Sequence, residues 1–75
     1  MQRKIISSKN IITHQISLDI ITALIDGRIE DAATLYMSLT TDEDKKVVMN
    51  NIINRYVIED PPKRLLIFSD FMDHL

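Results

Sequence analysis

The chain has 75 residues, no cysteine and a formal net charge of −2. A chain of this length makes one domain, and the missing cysteines exclude disulfides and thiolate metal sites. The first ten residues carry three basic side chains and no acidic one, whereas the remaining 65 carry six basic and eleven acidic side chains. An acidic body argues against nucleic acid as a partner and favours a basic or apolar one.

The amino-terminal residues predict a division of the chain into two parts. We expect residues 1–10 to be a flexible basic arm and residues 11–75 to be a helical domain. Ile5-Ile6 and Ile11-Ile12 are separated by four polar residues, so the arm lacks the apolar core of a signal peptide. No segment approaches the roughly 18 apolar residues of a membrane span. We therefore expect a soluble, cytoplasmic protein without membrane insertion.

The first helix is predicted from an N-cap at Thr13 to about Asp26. Its apolar and polar residues recur at helical spacing on opposite faces. The apolar stripe comprises Ile16, Ile20, Ile21, Leu24 and Ile25, and the polar face comprises Gln15, Asp19, Thr22 and Asp26. Gly27 follows at the position where a left-handed residue ends a helix.

Two further helices follow the glycine. One is predicted from Arg28 or Ile29 to Leu39, where the small Ala32 and Ala33 allow close approach of the first helix. The next is predicted from Asp42 to about Val57, with Thr41 as N-cap and acidic residues in the first turn. Its apolar row comprises Val48, Ile52 and Tyr56, widened by Met49 and Ile53.

A fourth helix is predicted from about Pro62 to His74, because Asp60-Pro61-Pro62 ends one helix and begins another. Leu65, Phe68, Met72 and Leu75 form one row, with Ile67 and Phe71 beside it. No segment alternates with the period of a strand. The fold class predicted is all-α: a compact four-helix single domain built on an αα-hairpin around Gly27.

The hairpin residues Gly27, Ile29, Ala32 and Tyr36 resemble the turn and second helix of a tetratricopeptide repeat. In that family a glycine ends the first helix, and a large apolar residue, a small alanine and an aromatic residue follow. The resemblance implies one helical hairpin. The family's early tryptophan and Leu-Gly signature is missing, and no second copy follows at a period of 34 residues.

The chain as a whole resembles the small soluble antiholins of T-even phages. The resemblance covers the run from Ile16 to Arg64, together with the chain length, the acidic body and the Ile- and Asn-rich composition. It implies a helical protein that binds the cytoplasmic part of a holin and delays lysis.

The titratable residues predict no catalytic, cofactor or metal site, and we expect no enzyme. His14 and His74 lie near opposite ends of the chain, and a metal site needs further ligands at defined spacing. Asp70 and His74, four residues apart, are expected to pair on the surface of the fourth helix. Thr41-Asp-Glu-Asp44 lacks the glycine and distal glutamate of a calcium loop.

Protein binding is the function that the sequence favours. We predict apolar anchors on the fourth helix at Phe68, Phe71 and Met72, and acidic residues that steer a basic partner at Glu30, Asp31, Asp42 and Glu43. The fourth helix carries more apolar residues than a terminal helix needs, so its residues serve either the core or an interface with a partner or a second copy.

The alternative function is a small helical DNA-binding regulator. Its recognition helix would be the third, through Lys45, Lys46, Asn50, Asn54 and Arg55, with Arg3, Lys4 and Lys9 of the arm on phosphates. A solvated helix face explains the same residues.

Overall fold

The computed structural model describes residues 8–75, and the side chains of residues 12–75. Four α-helices follow one another: α1 Ser8–Ile25, α2 Ile29–Met37, α3 Asp42–Ile52 and α4 Pro61–Asp73, with a π-helical turn at Ile53–Val57 after α3. The described residues contain no strand, so the all-α prediction is confirmed. α2 and α3 pack on α1, and α4 packs on α2 and on the π-helical turn.

Helix α1 begins earlier than the sequence indicates. Residues 8–10 of the expected arm are helical, and residues 1–7 lie outside the described residues. The N-cap prediction at Thr13 is wrong, since this residue lies inside α1 and its carbonyl accepts a 2.8 Å hydrogen bond from the Ser17 hydroxyl. The polar run Ser8-Lys9-Asn10 contains neither glycine nor proline, so nothing in it breaks a helix.

The turn between α1 and α2 is a Schellman motif around Gly27, the residue predicted to end the first helix in a left-handed conformation. Gly27 has φ +81°, its N–H donates to the Leu24 carbonyl at 3.1 Å, and the Arg28 N–H donates to the Ala23 carbonyl at 2.8 Å. Ala23, Ala32 and Ala33 are buried, and α1 and α2 pack against each other. α2 ends at Met37, two residues before the predicted end.

Helix α3 is capped by Thr41, whose hydroxyl accepts a 3.1 Å hydrogen bond from the Asp44 N–H. The predicted row of Val48, Ile52 and Tyr56 is buried. After Ile52 the helix widens to a π-turn, closed by the 3.1 Å bond from the Ile58 N–H to the Ile53 carbonyl. The wider turn shifts the helix register, and the adjacent Tyr56 and Val57 are both buried.

Helix α4 starts on Pro61 and turns a different face to the core than the predicted row. Leu65, Met72 and Leu75 are exposed, whereas Phe71 is fully buried and Ile67 is half-buried. The Phe71 ring lies edge-on to Tyr36, with a centroid distance of 5.9 Å. The burial stripe is therefore centred on Ile67 and Phe71 rather than on Leu65 and Met72, and the half-buried Phe68 belongs to both.

Candidate functional site: a groove beside helix α4

A groove runs along α4 where this helix passes the α1–α2 turn. Its centre is a cavity of about 480 Å³ lined by Gly27, Ile29, Leu66, Ile67, Ser69, Asp70 and Asp73. A second cavity of about 430 Å³ continues towards His74, past Glu30 and Asp31. A third, of about 350 Å³, continues from Ile67 towards Lys63. We call the three together the α4 groove.

The end of the groove near His74 is acidic. Arg28 is its one cation among the lining residues, and its guanidinium lies 3.2 Å from Asp26 and 3.3 Å from Asp31. Hydrogen bonds to these carboxylates raise the pKa of Arg28. The carboxylates of Glu30, Asp70 and Asp73 form no ion pair with any described residue, so this end carries an excess of negative charge.

The middle of the groove is apolar. Leu66 is 75% exposed and Ile25 is 61% exposed, and both flank the half-buried Ile67. Ile29 completes the apolar lining from the α2 side. Exposed aliphatic side chains on two helices around a shared concavity can bury apolar area against a partner.

The opposite end of the groove is basic. Arg64 is held within its own chain: its Nη1 donates to the Tyr56 carbonyl at 3.0 Å and to Glu59 at 3.1 Å, and its guanidinium lies 4.7 Å from the centre of the Tyr56 ring. Burial raises the pKa of Tyr56, and the Arg64 charge opposes that shift. Lys63 makes no ion pair with any described residue, which leaves its ammonium available to a ligand.

The predicted acidic residues separate into two groups. Glu30 and Asp31 line the acidic end of the α4 groove. Asp42 and Glu43 are exposed in the first turn of α3 and line none of the three cavities. Asp42 acts instead on Tyr36, whose pKa is raised by burial and further by that negative charge. Of the four predicted acidic residues, only Glu30 and Asp31 therefore border the groove.

The predicted apolar anchors also separate. Phe71 has no exposed surface, so the prediction that it forms a surface anchor is wrong, because its ring packs between Tyr36 and Phe68 in the core. Phe68 is half-buried, and its ring centroid lies 6.0 Å from that of Phe71. Met72 is 44% exposed but lies outside the three cavities of the groove.

The sequence did not single out Leu66, Ile25 or Lys63 as binding residues. One feature of the sequence indicates an exposed apolar residue near Leu66. Adjacent residues such as Leu65 and Leu66 lie about 100° apart on a helix. One buried face therefore cannot include both of them together with Phe71 and Met72. Ile25 was expected in the apolar stripe of α1, but the helix ends there and its side chain lies beyond the core.

The histidines form no metal site among the described residues, and several polar side chains of α3 and the π-helical turn are exposed. His74 Nδ1 donates to the backbone carbonyl of Asp70 at 2.9 Å, so the expected pairing with the Asp70 carboxylate is not what holds this ring. Among the described residues, no three His, Asp or Glu side chains are grouped as metal ligands. Lys46, Asn50, Asn54 and Arg55 are exposed. None of the helices in residues 8–75 has the length and apolar character needed to cross a bilayer.

Comparisons of the chain with protein-family models, with curated proteins and with solved structures found no match.

Proposed function

We propose that this chain is a non-enzymatic regulator that binds a helical segment of another protein in the α4 groove. The observation that carries the proposal is the exposed Leu66 between an acidic end and a basic end of one concavity. The occupant is an amphipathic helix with an apolar row and a cluster of Lys or Arg at one end. Helix-in-groove recognition combines these two kinds of contact.

The apolar and charged contacts supply different parts of the binding energy. Burying a leucine contributes roughly 1.5–3 kcal/mol, and about 1.4 kcal/mol corresponds to a tenfold change in affinity. The carboxylates at Glu30, Asp70 and Asp73 are exposed, so they contribute mainly to orientation and association rate. Removing Leu66 therefore changes affinity most, and reversing a carboxylate changes the preference for basic helices.

The direct test uses two synthetic amphipathic peptides that differ only in their charged end, one with lysines and one with glutamates. We expect the lysine peptide to bind more tightly in a fluorescence anisotropy titration. Leu66→Asp should weaken its binding by about tenfold or more, and Asp70→Lys should reduce the preference between the two peptides.

The matched control is Met72→Asp, because Met72 is another exposed apolar residue of α4 that lies outside the groove. This variant should bind like the unaltered chain, and circular dichroism should show all three variants folded. Equal loss from Met72→Asp and Leu66→Asp, or equal binding of both peptides, would contradict the proposal.

The antiholin resemblance names one occupant: a cytoplasmic segment of a holin, occluded in the groove. Under that proposal the protein acts in the cytoplasm and delays lysis. Co-expression with a T-even holin should postpone lysis, and Leu66→Asp should abolish the delay while Met72→Asp retains it. Unchanged lysis timing with the unaltered chain would remove the holin as the partner.

DNA binding through α3 is the second candidate, and the exposure of Lys46, Asn50, Asn54 and Arg55 along α3 and the π-helical turn favours it. It predicts DNA affinity that falls steeply with salt and is lost in Asn50→Ala with Asn54→Ala. Neither substitution should change peptide binding in the groove.

A further inference from the structure

The charged residues of α4 are arranged along the face that borders the groove. Lys63, Leu66, Asp70 and Asp73 are spaced by three, four and three residues, so they form one stripe along the helix. All four are exposed, and the three charged side chains form no ion pair with any described residue. The stripe therefore runs from basic through apolar to acidic.

This order opposes the dipole of α4. Carboxylates stabilise the first turn of a helix and cations stabilise the last, but the first turn of α4 has no acidic residue and the last has no basic one. Lys63 lies in the positive first turn, and Asp70 and Asp73 lie near the negative end. These charges disfavour the isolated helix, and a partner of opposite polarity compensates for them.

The charges cannot neutralise one another within one chain. Lys63 and Asp70 are seven residues apart, which separates them by about 10 Å along the helix axis. An antiparallel helix with the same stripe solves the problem, because it presents its basic end to the acidic end of the first. The two helix dipoles are then also antiparallel.

We propose that α4 pairs with α4 of a second copy of this chain, antiparallel and about a two-fold axis. Lys63 of each chain then lies against Asp70 of the other, and the two Leu66 side chains meet near the axis. A two-fold interface needs a self-complementary surface, and the part of the stripe from Lys63 to Asp70 is one.

Self-association covers the groove and so regulates the site. A second copy and a partner helix compete for Leu66 and Asp70, and this consequence, unlike the self-association itself, rests on the proposed function. A single helix pair lies at the small end of stable interfaces, so the dimer dissociates on dilution. The groove is then open at low concentration and closed at high concentration.

The test measures average mass by sedimentation equilibrium from about 10 µM to about 1 mM, the range in which small interfaces dissociate. We expect the mass of the unaltered chain to rise towards that of a dimer. Lys63→Glu brings two carboxylates together at each contact, and Asp70→Lys brings two ammonium groups together. Each variant should therefore dimerise at least about tenfold more weakly. Lys46→Glu on α3 should not alter the association.

Mixing the two single variants is the decisive measurement. In a mixed pair, the Lys63→Glu chain supplies one carboxylate to each of the two contacts and the Asp70→Lys chain supplies one ammonium group to each, so opposite charges meet at both contacts. The mixture should form heterodimers about as well as the unaltered chain, and Lys63→Glu/Asp70→Lys should dimerise with itself. Both single variants improve the match to the dipole of α4, so circular dichroism should show them at least as stable as the unaltered chain when dilute.

A chain that stays monomeric to about 1 mM, or a mixture that stays monomeric, would overturn the inference. Peptide binding at low concentration is read separately from self-association. If the chain stays monomeric and binds the lysine peptide, only the proposed function is supported. If the chain dimerises and does not bind the peptide, only the self-association is supported.

Discussion

Two regions of this small domain differ in how completely their apolar side chains are buried. Where α1, α2 and α3 meet, the interfaces are closed by fully buried aliphatic residues and by a polar link: the Asn51 amide donates to the Ser17 hydroxyl at 3.1 Å, and Ser17 donates to the Thr13 carbonyl. α4 contributes one fully buried side chain, Phe71, and exposes Leu65, Leu66 and Met72. The first region holds the fold together, and α4 combines one anchor with a surface for binding.

The largest effect should come from removing the single anchor of α4. Phe71→Ala should reduce the free energy of unfolding by about 3–5 kcal/mol, since it deletes a buried ring and leaves a cavity. Leu66→Ala, on the exposed face of the same helix, should change it by less than about 0.5 kcal/mol. Urea unfolding followed by circular dichroism measures both. A similar loss from both variants would show that α4 is not divided into an anchor and a surface.

Breaking the polar link of the closed region should have the next largest effect. Ser17→Ala leaves the Asn51 amide without its 3.1 Å acceptor in a half-buried position and should cost about 1–3 kcal/mol. Ser38→Ala removes an exposed hydroxyl that donates to the Leu35 carbonyl and serves as the matched control, with a much smaller change. Equal stability of the two variants would show that the link does not hold α1 to α3.

The turn that positions the groove should be sensitive to backbone conformation alone. A Cβ on Gly27 would meet no atom within 4 Å, so Gly27→Ala destabilises only through the positive φ, by about 1–2 kcal/mol. Gly27→Asn should cost less, because asparagine tolerates the left-handed region better. Thermal unfolding of the two variants checks the order, and the reverse order would contradict it.

The smallest effect should be a loss of stability in alkaline solution. The pKa values of Tyr36 and Tyr56 are raised, chiefly by burial. Each tyrosine has a pKa of about 10 in the unfolded chain. Its higher pKa in the folded chain gives a stability contribution that is fully present below about pH 10. This contribution is lost as the pH rises through the pKa of the folded state.

Urea unfolding between about pH 8 and 11 should show that loss as a decline above about pH 10. Tyr36→Phe should reduce the decline while keeping the ring next to Phe71. A decline of undiminished slope in Tyr36→Phe would assign the effect to other groups.

The sequence predicted the elements well because local rules govern them. Gly27 ends α1, Thr41 caps α3, and Pro61 and Pro62 start α4 through backbone chemistry that acts within a few residues. Sequence reasoning places the start of α1 too late, because polar composition indicates an arm where nothing breaks the helix. The π-helical turn had no sequence signal, since the row of Val48, Ile52 and Tyr56 is equally compatible with a regular helix.

Periodicity by itself determined that four amphipathic helices form around a glycine turn, and composition that the body carries an excess of acidic residues. Tertiary structure decided which side of α4 is buried. Apolar residues surround most of that helix, so the pattern allows several orientations, and the fit of Phe71 against Tyr36 selects one. That orientation exposes Leu66 between Lys63 and Asp70. A binding surface can therefore be recognised only when it is known which apolar side chains are buried in the core.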